Sequence, residues 1–397
     1  MALTSSPSPC PVSCDDSSPI RPKLKSSYQP KLDGLRALAI LGIIFEHFGA
    51  PLPALLRCGP LSVRFFFVLT GYFITLSLWR MQSRMIHSEE DGSVHLFRYY
   101  LGRLLRIGPP FYVALLVGAI LGIEEVRTNF FWLATFQANN YFAYLGYWPN
   151  AVSHFWSLAV QEQFYLLWPA LVLTLPRRWF LPAMAAFILF GLIFRIACIL
   201  TATSAMMRWI TIFGCVDSFA VGALIAYLKE ARLLDKIHLL PKTLLFALPL
   251  IAFSCFFMGR ALMTLNNDNI WVSLTESFDA IFLAWLLVTS LGKTHERYDR
   301  ILSWPPLAYL GRISYGIYVY HVFVIIAVSP LLLSWGLSES HGDFARLAIL
   351  LMLTVALASI SWHWLEQPFL AWKKSLESPA PAPATVPAGE FSLQGRY

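Results

Sequence analysis

Four ionisable side chains lie within one apolar stretch of the chain, LDGLRALAILGIIFEHF at residues 32–48. Two of them, Arg36 and His47, are eleven positions apart, or three helical turns plus about 20°, so they share a helix face. They are then about 16 Å apart, roughly half the hydrocarbon thickness of a bilayer. An imidazole at that depth can act on a substrate in a protected cavity. The structural alternative makes Arg36 a surface anchor and His47 a hydrogen-bonded core residue.

A second candidate, Glu162, lies in the apolar stretch HFWSLAVQEQFYLLWP at residues 154–169. A carboxylate that enters an apolar helix must find a partner or take up a proton. Glu162 and His47 lie at similar distances from the predicted outer ends of their helices. The common depth predicts a pair in which His47 is a general base and Glu162 orients it, with a purely structural pair as the alternative.

Further polar residues lie within the predicted spans. They are predicted to be helix–helix polar contacts rather than catalysts: Asp217, Glu276, Asp279, His321 and Glu366.

Two arginines, Arg103 and Arg106, are three positions apart and share a helix face just before the third apolar run. Guanidinium groups at a membrane boundary suit phosphate groups, which they bind through charge-assisted hydrogen bonds. The alternative is that both arginines anchor a helix at the cytoplasmic surface and contact anionic lipid. The chain contains no HExxH, Walker lysine loop or G-x-S-x-G motif, and its six cysteines are scattered, so the sequence predicts no metal site.

The elements that must position these residues are membrane helices. Hydrophobic residues make up 57% of the chain and charged residues 13%, against roughly 25% charged residues in soluble domains. This composition excludes a soluble core. The net charge of +7 is therefore attributed to cytoplasmic loops at a lipid bilayer, and not to nucleic-acid binding.

Apolar runs of spanning or near-spanning length predict an all-α, polytopic bundle of about ten transmembrane helices. The runs cover residues 35–54, 61–79, 108–123, 156–175, 179–201, 208–228, 243–260, 270–291, 313–335 and 344–365. With the N-terminus in the cytoplasm, 23 of the 30 Lys and Arg residues fall on inner segments and 6 on outer ones. The positive-inside rule then places both termini in the cytoplasm.

The chain divides by composition into three parts. Residues 1–31 are rich in Ser and Pro and then basic, residues 32–370 contain all the apolar runs, and residues 371–397 are rich in Ala and Pro. The first and last parts are predicted to be disordered tails around one membrane-embedded domain. The aromatic segment 129–150 is predicted to face outward along the interface.

Six motifs in this order resemble the acyltransferase-3 family of integral-membrane O-acyltransferases. The resemblance extends over residues 31–370 and rests on KLDGLRALAILGIIFEHFG, VRFFFVLTGYFIT, YLGRLLRIGPPFY, HFWSLAVQEQFYLLWP, LGRISYGIYVYHVFV and WLEQPF. It implies a multi-pass protein of a plasma or bacterial inner membrane. It further implies transfer of an acyl group, most often acetyl, from cytoplasmic acyl-CoA to a hydroxyl of a carbohydrate, glycolipid or secondary-metabolite acceptor. Acyl-CoA is then a substrate, and no permanently bound cofactor is implied.

The resemblance also implies residue roles. Arg36 and His47 match the Arg-x10-His pair of the family, Arg103 and Arg106 match the paired arginines that meet CoA, and Glu162 matches the second acid of V-E-E-Q-F-Y. His47 is thus implied to take the acceptor proton or to carry the acyl group, with Glu162 and Arg36 assisting.

Three positions depart from the family pattern. Gln161 replaces the first acid of V-E-E-Q-F-Y, Thr70 stands where serine is usual, and Arg64 stands where aspartate is frequent. Two other classes of function remain open on the sequence. A proton-coupled secondary transporter also suits about ten spans with buried His, Glu and Asp, and a non-catalytic membrane assembly partner would not need His47.

Overall fold

The computed structural model describes residues 29–50, 58–87, 90–234, 270–292, 296–337 and 343–377, with isolated positions between 247 and 258. All regular structure within these residues is helical. The predicted tails, apart from residues 29–31 and 371–377, and most of the predicted span at 243–260 lie outside the described residues.

The described helices are numbered here in chain order. Their bounds are α1 Pro30–His47, α2 Gly59–His87, α3 Gly92–Ile120, α4 Glu124–Thr128, α5 Phe130–Ala134, α6 Ala138–Leu145, α7 Phe155–Thr174, α8 Arg177–Leu200, α9 Ala205–Ile210, α10 Ile212–Glu230, α11 Ile270–Leu291, α12 Glu296–Leu302, α13 Pro305–Arg312, α14 Ser314–Ser334, α15 Phe344–Ser361 and α16 Gln367–Glu377. A π-helical turn, Trp362–Glu366, joins the last two helices. Helix α16 therefore extends beyond the predicted domain boundary at residue 370.

Seven described helical segments are long and apolar enough to cross a membrane, so the protein is a multi-pass membrane protein. They contain α2, α3, α8, α10, α11, α14 and α15. Helices α1 and α7 were also predicted to span, but they do not meet this criterion. The reason lies in their polar residues, which include Asp33 and Arg36 in α1 and the Gln161–Gln163 run in α7.

Helices α2 and α10 pack at close range because each presents a glycine to the backbone of the other. A Cβ atom at Gly71 would lie 2.1 Å from the carbonyl oxygen of Phe219. One at Gly222 would lie 2.0 Å from the carbonyl oxygen of Val68. Small residues that admit such contacts are a main determinant of helix association in membranes, so this pair forms a rigid centre of the bundle.

Helix α1 is held at both ends. Near its start, a Cβ at Gly34 would lie 2.0 Å from the Leu302 carbonyl oxygen, and one at Gly311 would lie 1.8 Å from that of Asp33. At its other end, Arg346 of α15 donates a 3.0 Å hydrogen bond to the carbonyl that follows the helix. These contacts fix the two candidate residues of α1, one near each end.

Candidate active site

A cavity of about 680 Å³ lies between α1, α2, α3, α7, α10 and α14. Its lining contains five cationic side chains and only one carboxylate, that of Asp33. The cations are Arg36, Arg80, Arg103, Arg106 and Lys229. An excess of positive charge in a concave site attracts anions and suits phosphate groups in particular.

Arg36 is oriented toward this cavity by two hydrogen bonds. Its guanidinium donates to Asp33 at 3.3 Å, one turn earlier on α1, and to the hydroxyl of Ser314 at 3.1 Å. Ser314 is the first residue of α14, so Arg36 links the two helices at the cavity wall. The side chain remains half-buried.

The predicted donor-binding arginines, Arg103 and Arg106, both line the cavity, as their shared helix face requires. Arg103 lies between the rings of Tyr99 and Tyr165, 5.5 and 5.4 Å from their centroids. Arg106 is exposed. Among the residues that the structure describes, neither arginine forms a salt bridge or a hydrogen bond to a side chain. Their donors are therefore open to a ligand.

Two hydroxyl groups form part of the cavity wall. Ser157 of α7 and Tyr318 of α14 both line it, and their hydroxyl oxygens are 2.6 Å apart. The Tyr318 hydroxyl also donates to the backbone carbonyl of His154 at 2.6 Å. Since that carbonyl can only accept, the Ser157 hydroxyl donates to the Tyr318 oxygen. The ring of Tyr318 also contacts the rings of His154 and His321, at centroid distances of 5.7 and 5.5 Å, so this part of the cavity wall borders a cluster of histidines.

His47 contacts His321 of α14. His47 Nδ1 lies 2.7 Å from His321 Nε2, and the ring centroids are 4.8 Å apart with the two ring planes inclined by 25°. His321 Nδ1 lies 2.6 Å from the backbone carbonyl of Tyr318. His321 is fully buried, whereas His47 is exposed. The catalytic candidate therefore has one side on a buried partner and another that a molecule can reach.

The third histidine, His154, meets the ring of His321 edge-on, with centroids 5.0 Å apart. Its Nε2 lies 3.4 Å from the backbone carbonyl of Val319. Within the described part of the chain, no group of three or more His, Cys, Asp or Glu side chains is arranged to hold a metal ion. The cluster is thus a hydrogen-bonded imidazole assembly.

Glu162 does not join this cluster. Among the described residues it forms no hydrogen bond or salt bridge with His47, and its electrostatic partner is Arg103. The predicted pairing of Glu162 with His47 is therefore replaced by the His47–His321 pair. Equal depth in the membrane does not determine the direction in which a side chain points. Helix α7 turns Glu162 toward α3 and away from α1. Its neighbour Gln161 lines the cavity and donates to the hydroxyl of Tyr165.

His321 and Glu366 were predicted to be helix–helix polar contacts rather than catalysts. Glu366 lies in the π-helical turn, is buried, and interacts electrostatically with Arg106 and Arg36. A usable signal existed, because His321 lies in the motif LGRISYGIYVYHVFV, one helical turn after Tyr318. Arg80 and Lys229 were missed because only a three-dimensional packing of α2 and α10 brings them to the cavity.

A second group of charged side chains forms a salt-bridge network of two arginines and two acids. Arg64 bonds to Asp217 at 3.1 Å and to Glu276 at 2.8 Å, while Arg195 reaches the same two carboxylates at 2.8 and 3.1 Å. Arg195 is fully buried. The prediction that Asp217 and Glu276 are helix–helix contacts is confirmed. Arg64, the departure from the family pattern, is accommodated by these two acids.

The family and its relatives agree with this architecture. A profile described as an acyltransferase domain matches residues 29–363. The chain is 27% identical to the peptidoglycan O-acetyltransferase OatA of Listeria monocytogenes over 365 residues, covering 86% of this chain and 56% of that protein. It is 28% identical to a putative O-acetyltransferase of Staphylococcus aureus, covering 88% of this chain and 60% of the relative.

A further relative, the O-acetyltransferase OatA of Staphylococcus aureus, is 27% identical, with 86% of this chain and 57% of the relative covered. The chain thus spans less than two thirds of the length of these relatives. No solved structure matches it. Because the acyltransferase profile covers most of the chain, including α1 with its Arg-x10-His pair and the histidine of α14, the chain belongs to the acyltransferase-3 family.

Proposed function

We propose that the protein is a membrane O-acyltransferase that moves an acyl group from cytoplasmic acyl-CoA to a hydroxyl group of a carbohydrate, glycolipid or secondary-metabolite acceptor. We propose that the acyl group is acetyl, so that acetyl-CoA is the donor. Three parts of the molecule support this function: a cationic cavity, a histidine beyond its wall, and membership of the family.

The observation that carries the proposal is the cavity with five cations and one carboxylate in its lining. Its volume of about 680 Å³ lies within the range of sites that enclose a small molecule. CoA carries phosphate groups that Arg103 and Arg106 can bind through bidentate hydrogen bonds. Arg36 lies farther along the lining and is assigned to the route that leads from the phosphates toward His47.

His47 is the proposed catalytic residue. In the direct route, its Nε2 takes the proton of the acceptor hydroxyl while the oxygen attacks the thioester carbonyl. A C–O bond forms, the C–S bond breaks, and the thiolate of CoA leaves and takes up a proton. In the covalent route, the same neutral nitrogen attacks the thioester first, the C–S bond breaks and the thiolate of CoA leaves. The acceptor oxygen then attacks the acyl-imidazole, the C–N bond breaks, and the released imidazole nitrogen takes the proton of the hydroxyl. The exposed side of His47 suits either route.

The topology is part of the proposal: about ten spans, with both termini in the cytoplasm. One observation supports this topology. Three residues at the predicted cytoplasmic ends of α1, α2 and α10 line the cavity: Gln29, Arg80 and Lys229. His47 and His154 lie at the predicted outer ends of α1 and α7. This arrangement brings the donor from inside and the acceptor to the opposite end. The acceptor class is supported by the relatives, two of which are O-acetyltransferases by name and one of these a peptidoglycan O-acetyltransferase.

The test is turnover of labelled acetyl-CoA by purified protein in detergent, offered glycan fragments, glycolipids and small polyols. We expect covalent label on an acceptor together with stoichiometric release of free CoA thiol. In proteoliposomes, unmodified labelled substrate accumulating inside without thiol release would identify a transporter instead. If neither transfer nor thiol release occurs with any acceptor class, the proposed function is wrong.

A further inference from the structure

Hydrogen-bond directions fix the tautomers of the His47–His321 pair. The Tyr318 carbonyl accepts only, so His321 Nδ1, at 2.6 Å, carries the hydrogen. In a neutral imidazole the other nitrogen is then an acceptor, and His321 Nε2 faces His47 Nδ1 at 2.7 Å. His47 Nδ1 therefore donates. The remaining nitrogen of His47, Nε2, is left with a free lone pair.

We infer that His321 is the positioning residue that prepares His47 for proton transfer or nucleophilic attack, the place that the sequence assigned to Glu162. This inference rests on the proposed function and deepens it. His321 holds His47 as the Nδ1–H tautomer and accepts a hydrogen bond from the imidazolium that forms when Nε2 is protonated. The proton comes from the acceptor hydroxyl, and His321 itself gains none.

The burial of the two residues fits these roles. His321 is fully buried and both of its ring nitrogens are engaged, so its ring has one orientation and reaches no substrate. It is absent from the cavity lining, so its replacement leaves the donor site in place. The backbone of Tyr318 completes the chain of hydrogen bonds, and its hydroxyl lines the cavity. The donor cavity and the base are thereby connected through two residues of α14.

Two substitutions separate positioning from structural support. In His321→Gln the amide reaches the position of Nε2 and its oxygen can accept from His47 Nδ1. In His321→Asn the shorter amide takes the place of Nδ1, keeps the bond to the Tyr318 carbonyl and loses the bond to His47. A merely structural role predicts that Asn is at least as good as Gln.

We expect kcat to fall by at least about 100-fold in His321→Asn, the lower end of what general-base catalysis contributes, and by no more than about tenfold in His321→Gln. The KM for acetyl-CoA should stay within about twofold in both variants. Equal kcat values, or Asn exceeding Gln, would overturn the inference. Wild-type protein without any transfer would instead overturn the proposed function.

A measurement on the wild type covers the case in which either variant fails to fold. Diethyl pyrocarbonate reacts with unprotonated imidazole nitrogens, and peptide mass spectrometry locates the adduct. We expect His47 to be modified and His321 to stay unmodified until the protein is unfolded. Modification of both residues at equal rates in folded protein would contradict the assigned hydrogen bonds.

Discussion

Two groups of arginines in this bundle differ in how their charges are balanced. Arg64 and Arg195 share Asp217 and Glu276 in a closed set of four salt bridges. The arginines of the cavity face open space, and among the described residues only Arg36 of this group has a salt bridge, to Asp33. Guanidinium groups that line a cavity without a salt-bridge partner favour an anionic ligand there, so this group indicates a binding site.

The comparison also explains why charge in a membrane helix is a poor guide to function by itself. Asp217 and Glu276 are polar residues within spans, as Glu162 is, yet the first two neutralise arginines that stabilise the bundle. Glu162 and Glu366 act on the cavity arginines at longer range. Function follows from what a charge faces, and only the packed structure defines that.

The largest expected effect is on the stability of the protein, and it distinguishes the two groups of arginines. Arg195→Met leaves Asp217 and Glu276 with one cation between them in a buried site. We expect a loss of about 3–5 kcal/mol in the free energy of unfolding, measured as a fall in thermal midpoint and folded yield in detergent. Arg103→Met should leave the midpoint nearly unchanged. Equal losses for both variants would remove the distinction between a structural and a binding group.

The next effect concerns donor binding. Arg106→Gln removes a cation from the cavity, and we expect the KM for acetyl-CoA to rise about tenfold, with kcat changed much less. Arg84→Gln is the matched control, because Arg84 is exposed near the end of α2 and does not line the cavity. A fall in kcat at unchanged KM would make Arg106 a structural anchor.

Salt should weaken donor binding by the cavity arginines and leave the salt-bridge network of Arg64 and Arg195 largely unaffected. Raising ionic strength from about 0.05 to 0.5 M shortens the Debye length several-fold and screens the open cavity more than the closed network. We expect the KM for acetyl-CoA to rise several-fold while the thermal midpoint changes little. A KM independent of salt would mean that charge does not govern donor binding.

The smallest effect tests the place of Glu162. Because Glu162 interacts with Arg103 and not with His47, Glu162→Gln alters a side chain beside the donor site and leaves the histidine pair intact. We expect the KM for acetyl-CoA to change by no more than about threefold, with kcat unchanged within about twofold. A loss of kcat as large as that of His47→Ala would restore the pairing that the sequence predicted.

Much of this site could be predicted from the sequence. Spacing placed Arg103 and Arg106 on one face, and motifs selected Arg36 and His47, because helical periodicity and local motifs are properties of short segments. The partner of His47 could not be predicted in the same way. Whether α7 or α14 presents its polar residue to α1 depends on the rotation of packed helices. Close backbone contacts at Gly34 and Gly311 hold α1 against α12 and α13, the segment that leads into α14.

We propose that His47 performs the transfer, and label transfer from acetyl-CoA by purified His47→Ala and His363→Ala proteins tests this role. His363 is an exposed histidine in the π-helical turn, outside the cluster and the cavity lining. We expect His47→Ala to lose at least about 100-fold in kcat at an unchanged thermal midpoint, and His363→Ala to remain within about twofold of wild type. Near-normal transfer by folded His47→Ala would contradict the account.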